Sequence, residues 1–120
     1  MNIDANCLTS DLPIACNLSE PELRLRREAK ASDIFKDFQQ VDELTDGYSF
    51  RFPGNDVCAA KLLEFVMFER RCCPFMTFEL IFEPGQGSVW LRMRSADGVK
   101  EFIRNEMEML GTRIEQTSVE

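Results

Sequence analysis

Hydrophobic and polar positions alternate along this chain with a period that changes from segment to segment. Residues 1–18 are polar, carry Pro13 and show no period, so they read as an N-terminal arm. Ser19-Glu20-Pro21-Glu22 is a helix start: Ser19 can cap, Glu22 completes a capping box, and proline is tolerated in a first turn. Ala31, Ile34, Phe35 and Phe38 then recur at helical spacing, which predicts a helix to about Gln39. Asp46-Gly47 marks a turn, and Tyr48, Phe50 and Phe52 alternate with Ser49 and Arg51 as a strand with one buried face. Pro53-Gly54-Asn55-Asp56 ends it, with Asp56 as the expected cap of a helix over 57–71. On a helical wheel Lys61, Glu64 and Arg71 cluster within about 80°. Nearly everything else there is apolar, which predicts a central buried helix. Pro74 interrupts the pattern. Met76, Phe78, Leu80 and Phe82 form one face of a second strand, Pro84-Gly85-Gln86-Gly87 signals a hairpin, and Val89, Leu91 and Met93 form one face of a third strand. Asp97-Gly98 leads into a last helix with Val99, Phe102, Ile103 and Leu110 inward, stopped by Gly111. Residues 112–120 read as a C-terminal tail.

The expected fold is α+β: a single domain over 19–111 in the order α-β-α-β-β-α. A three-stranded, mainly antiparallel sheet carries its helices on one face. The other face would show Arg51, Thr77, Glu79, Ile81, Trp90, Arg92 and Arg94. Crossed charges suit a solvated face. Trp90 and Ile81 also make it a surface through which two copies could form a homodimer. Asp42 and Glu43 fall in a connection and read as solvated.

Composition narrows the chemistry. The chain has 120 residues with net charge −7, so a single core suffices and a nucleic-acid partner is not expected. It has no histidine, which excludes Ser-His-Asp and Cys-His catalysis and any His-ligated metal or haem from within the chain. The first basic residue is Arg24, and the longest apolar run is Phe65-Val66-Met67-Phe68. Neither a secretory signal nor a membrane span is expected, which points to a cytoplasmic protein without a membrane partner. The five cysteines then read as buried fillers, metal ligands or redox groups.

The strongest local signal is Glu69-Arg70-Arg71-Cys72-Cys73-Pro74-Phe75, where adjacent cysteines close a helix. Two neighbouring thiolates suit a soft ion such as copper(I), zinc, a mercury-like ion or a trivalent arsenical. Arg70 and Arg71 would lower the thiol pKa values, while the negative end of the helix acts in the opposite direction. Cys16, in Ala15-Cys16-Asn17-Leu18, could be brought over by the arm as a third ligand, and three thiolates suit a trigonal soft-ion site. Alternatively one of the pair packs in the core and the other is incidental. Cys58 shares a helix face with Leu62 and Phe65 and reads as a small hydrophobe. Cys7 carries no assigned role. Glu69 and Arg70 fall off the polar stripe of the wheel. Either fraying carries them into water, or each is paired, with Arg51, Glu79 and Arg92 the opposite charges at hand.

The Ala15-Cys16-Asn17-Leu18 arm, the Gly47-Tyr48-x-Phe50-Arg51-Phe52-Pro53 strand, the Glu69–Phe75 segment and Gly98-Val99-Lys100-Glu101-Phe102 together resemble a small bacterial family of about this length. The likeness covers roughly residues 14–103. It implies a bacterial origin and a pattern that includes Cys16, Cys72 and Cys73 but not Cys7 or Cys58. No activity comes with it.

Three functions follow from these residues. The first is a binding protein for a thiophilic metal or metalloid ion, using Cys72, Cys73 and Cys16, with Glu69, Arg70 and Arg71 around them. The second is a thiol redox protein in which Cys16 pairs with one of Cys72 and Cys73, since a ring closed by the adjacent pair is strained. The third is an interaction module with structural cysteines. A binding role is expected ahead of an enzymatic one.

Overall fold

The computed structural model describes residues 21–96 and 98–109. Cys7, Cys16, the Ser19 cap, Asp97, Leu110, Gly111 and the expected arm and tail lie outside them. The elements are α1 (Pro21–Phe35), β1 (Gln40–Leu44), β2 (Gly47–Phe52), α2 (Asp56–Cys72), β3 (Thr77–Phe82), β4 (Val89–Arg94) and α3 (Val99–Met109). All strand pairs are antiparallel, in the spatial order β1-β2-β4-β3. The domain is therefore α+β, as the periodicities predict, but with four strands instead of three and the order α-β-β-α-β-β-α.

The additional strand is β1. Its sequence, Gln-Val-Asp-Glu-Leu, places two acids side by side and breaks strict alternation, so it reads as a connection. Tertiary pairing makes it a strand: Val41 faces Phe50 and Glu43 faces Tyr48 across the ladder. The pairing also shortens α1. The helix stops at Phe35 because the chain must already be extended at Gln39, whose N–H donates to the Arg51 carbonyl at 2.7 Å. Phe38 still packs at helical distance from the core, its ring 5.5 Å from that of Phe50, although a turn carries it there. Asp42 and Glu43 are not solvated: Asp42 is buried, and Glu43 pairs with Lys100 of α3.

Residues 48, 50 and 52 of β2 and 89, 91 and 93 of β4 form the floor of the core. Ala31, Ile34 and Phe35 of α1, Leu62 and Phe65 of α2, and Ile103 of α3 pack on that floor in one cluster. Phe35 is its centre, with edge-to-face contacts to Phe50 at 5.0 Å and Phe65 at 5.5 Å. The helices thus share one sheet face, as expected.

Helix α2 departs from expectation at both its start and its surface. Asn55, not Asp56, is the cap: its side chain accepts from the Cys58 N–H at 2.7 Å. Asp56 is the first residue inside, where its charge suits the positive helix end. The helix is not buried all round. Cys58, Leu62, Phe65, Val66, Glu69 and Cys72 face the core, while Val57, Leu63 and Met67 are exposed. Only one layer of helices covers the sheet, so a helix there has one face to bury. Among the described residues no helix is long and apolar enough to cross a membrane.

Gly47 opens β2 where the backbone meets β4. A Cβ there would fall 1.9 Å from the Met93 carbonyl oxygen. Gly47→Ala should therefore cost about 1–3 kcal/mol as an overpacking change, read as a lower urea midpoint with an unchanged slope. An unchanged midpoint would show that the β2–β4 ladder is free to shift there.

Candidate thiol site

Pro74 blocks continuation of α2, so the helix closes with Cys72 as its last residue and Cys73 as its C-cap. The Cys73 N–H donates to the Glu69 carbonyl at 2.7 Å, and the Met76 N–H donates to the Cys73 carbonyl at 3.1 Å. These bonds turn both cysteine side chains inward, and both are fully buried. Glu69 lies one turn earlier on the same face and is also buried. One donor atom from each of Glu69, Cys72 and Cys73 lies within 4.8 Å of the others.

Glu69 is paired, but with none of the partners considered from the sequence. Arg27 of α1 reaches it through one edge of its guanidinium, Nε donating at 3.0 Å and Nη2 at 2.7 Å. The remaining Nη1 donates to Glu106 of α3. Arg51 and Arg92 lie on the opposite sheet face, and Glu79 pairs with Arg94 at 3.0 Å. Burial works against the charged form of Arg27, but the hydrogen bonds and charges of Glu69 and Glu106 outweigh it and raise its pKa above the ordinary value. The guanidinium stays charged at any working pH.

Two further expectations are corrected. Arg70 and Arg71 are exposed and belong to the last turn of α2, where they suit the negative helix end. Neither is among the charges that shift the Cys73 pKa. The Cys73 pKa lies well above that of an ordinary thiol, near 9, because of burial first and the Glu69 charge second, against a smaller opposing pull from Arg27. Its S–H donates to Glu69 Oε2 at 3.7 Å. Cys73 is thus held as a neutral thiol.

The oxidation states differ along the helix. Cys72 is disulfide-bonded. Cys58 and Cys73 are free thiols, so neither is its partner. Cys7 and Cys16 lie outside the described residues, and so does the expected third ligand. Cys58 packs in the core as expected, its pKa raised chiefly by burial.

Beside the ion pair lies a cavity of about 30 Å³ between α1 and α3. Arg27, Glu69 and Glu106 form its polar side, and Met76, Met93 and Met107 its apolar side. It has room for roughly one water.

The residue the sequence reading missed is Arg27. A signal was present: Arg27, Ala31, Ile34 and Phe35 recur at helical spacing, which puts a charge on the buried stripe of α1. Compared with known protein families, curated proteins and solved structures, the chain matches none. Function must therefore be read from the site's own chemistry.

Two outcomes test this geometry. Arg27→Met leaves Glu69 buried and unpaired and should cost about 3–5 kcal/mol in urea unfolding. Adding Glu69→Leu should recover most of that loss. A double variant no more stable than the single one would show that the pair does not account for the loss. The second outcome concerns pH. Because the folded Cys73 pKa is raised, its contribution to stability is complete below the unfolded thiol value, near 9, and is lost as the pH rises through the folded value. Native alkylation of Cys73 should stay slow through that ordinary range while the urea-unfolded chain reacts normally. Equal rates in the two states would contradict the buried neutral thiol.

Proposed function

We propose that Cys72 and Cys73 form a capture site for a thiophilic metal or metalloid ion, open when Cys72 is reduced and closed when it is oxidised. The observation that carries this reading is the convergence of the Glu69, Cys72 and Cys73 donor atoms within 4.8 Å at a buried helix end. Charge supports it. A lone thiolate beside Glu69 is disfavoured, whereas a soft cation brings the positive charge that two thiolates need. Trivalent arsenic suits the pair equally well. As(OH)3 and two thiols give (RS)2AsOH and two waters, so no bare thiolate persists. Cys16 enters as the third ligand, its thiol replacing the remaining hydroxyl with loss of a third water, and Glu69 is held by Arg27 at the edge of the site. In a cytoplasmic setting reduced thiols predominate and the site would stand open.

A second reading is a thiol redox protein. It draws on Cys72, which is disulfide-bonded while its neighbour Cys73 is free. The neutral, buried Cys73 makes a poor attacking thiol, so this reading ranks below the first.

Native mass spectrometry separates the two. Reduced protein with arsenite or Cd(II) should gain one ion per chain. The oxidised protein should gain none, and neither should Cys72→Ser or Cys73→Ser. Cys16→Ser should weaken the adduct, and unchanged affinity would remove Cys16. Adducts that survive both Cys72→Ser and Cys73→Ser would overturn the capture site. A reduced chain that takes up no ion, yet returns to the disulfide form under a glutathione buffer, would establish the redox reading.

A further inference from the structure

The sheet face opposite the helices has three rows of side chains. Gln40, Arg51, Trp90 and Ile81 form the first row, Asp42, Ser49, Arg92 and Glu79 the second, and Leu44, Gly47, Arg94 and Thr77 the third. One oxygen of each acid on the two edge strands is engaged within the chain. Asp42 accepts from Gln40 at 2.8 Å, and Glu79 pairs with Arg94 at 3.0 Å. The centre has the opposite imbalance. Ser49 is 2 % exposed and its Oγ has no hydrogen-bond partner. The Nε atoms of Arg51 and Arg92 are buried and likewise unpartnered. Three donors without acceptors thus lie on adjacent positions of β2 and β4, in a chain of net charge −7.

Two of these donors, Ser49 and Arg92, border a shallow depression of about 240 Å³ that is also lined by Trp90, Ile81, Asp42 and Glu83. Arg51 lies over the Trp90 ring at 6.0 Å, which leaves that ring backed by a cation.

We propose that the centre of this face binds a small organic acid as its monoanionic carboxylate. The Nε–Nη edge of a guanidinium matches a planar carboxylate, and a rotamer change of the long Arg92 side chain is enough to present it. Ser49 Oγ donates a further bond. Trp90 and Ile81 form an apolar wall for the body of the acid. Asp42 and Glu83 at the rim repel a doubly charged phosphate more than a singly charged carboxylate. The site is separate from the thiol site, which lies under the helices on the other side of the sheet.

Trp90 is the sole tryptophan in the chain, so its fluorescence reports this face directly. Cyclohexanecarboxylate, which is transparent where tryptophan absorbs, should shift the emission saturably. Cyclohexanecarboxamide, of the same shape without charge, should bind at least about tenfold more weakly. Arg92→Gln should lose about tenfold, and Arg92→Lys, which keeps the charge without the fork, should fall between. Far-UV circular dichroism checks that the variants fold. Ser49→Ala gives an independent loss that leaves both arginines in place. A non-saturating response, equal binding of the carboxamide, or unchanged affinity in both Arg92→Gln and Ser49→Ala would overturn the proposal. Tighter binding of inorganic phosphate would overturn the ligand class. A concentration-dependent emission without any acid, matched by dimer in sedimentation, would give this face to a second copy of the chain instead.

Discussion

The contact between Arg27 and Glu69 joins the three helices around a charge that cannot leave the interior. Arg27 belongs to α1, Glu69 to α2 and Glu106 to α3, so one guanidinium bridges elements far apart in the sequence. A carboxylate at Glu69 is tolerable only because a rigid two-toothed partner meets it. Everything at the end of α2 depends on that arrangement. The Glu69 carbonyl receives the helix-capping N–H of Cys73, and its carboxylate receives the Cys73 thiol.

This explains why Cys73 is quiet as a thiol. It is buried, and the Glu69 carboxylate that opposes its ionisation lies 3.7 Å away. A helix C-terminus adds a further negative potential. Such a place resists a free thiolate at Cys73. Its neighbour Cys72 is held in a disulfide, so the two adjacent sulfurs differ in oxidation state. The two sheet faces also divide the molecule chemically. One is sealed by helices and holds the sulfur site. The other leaves arginine and serine donors without acceptors in its centre.

Much of the fold is legible where period and local signals agree. The alternation at Tyr48, Phe50 and Phe52 and at Val89, Leu91 and Met93 needs no partner to be read, and those positions are the floor of the core. The hairpin at Pro84-Gly85-Gln86-Gly87 follows from local chemistry, since Gly85 and Gln86 both take positive φ. Strand β1 was not legible. Five residues with two adjacent acids carry too little pattern, and only pairing with β2 makes them extended. The exposed side of α2 escaped for a related reason: Val57, Leu63 and Met67 are apolar, but a single helical layer leaves that side uncovered.

At the thiol site, the residue types alone narrowed the chemistry to be considered. Adjacent cysteines at a proline-stopped helix end, in a chain without histidine, point to sulfur-based binding or redox work. The tertiary structure decided which charges surround them. Arg70 and Arg71 are neighbours in sequence, yet the helical rotation turns them to solvent. Arg27, 42 residues from Glu69, is turned inward by the packing of α1 against α2. Sequence proximity places a charge on the chain, whereas burial and the angle between helices decide whether that charge acts through a low-dielectric interior or is screened by water.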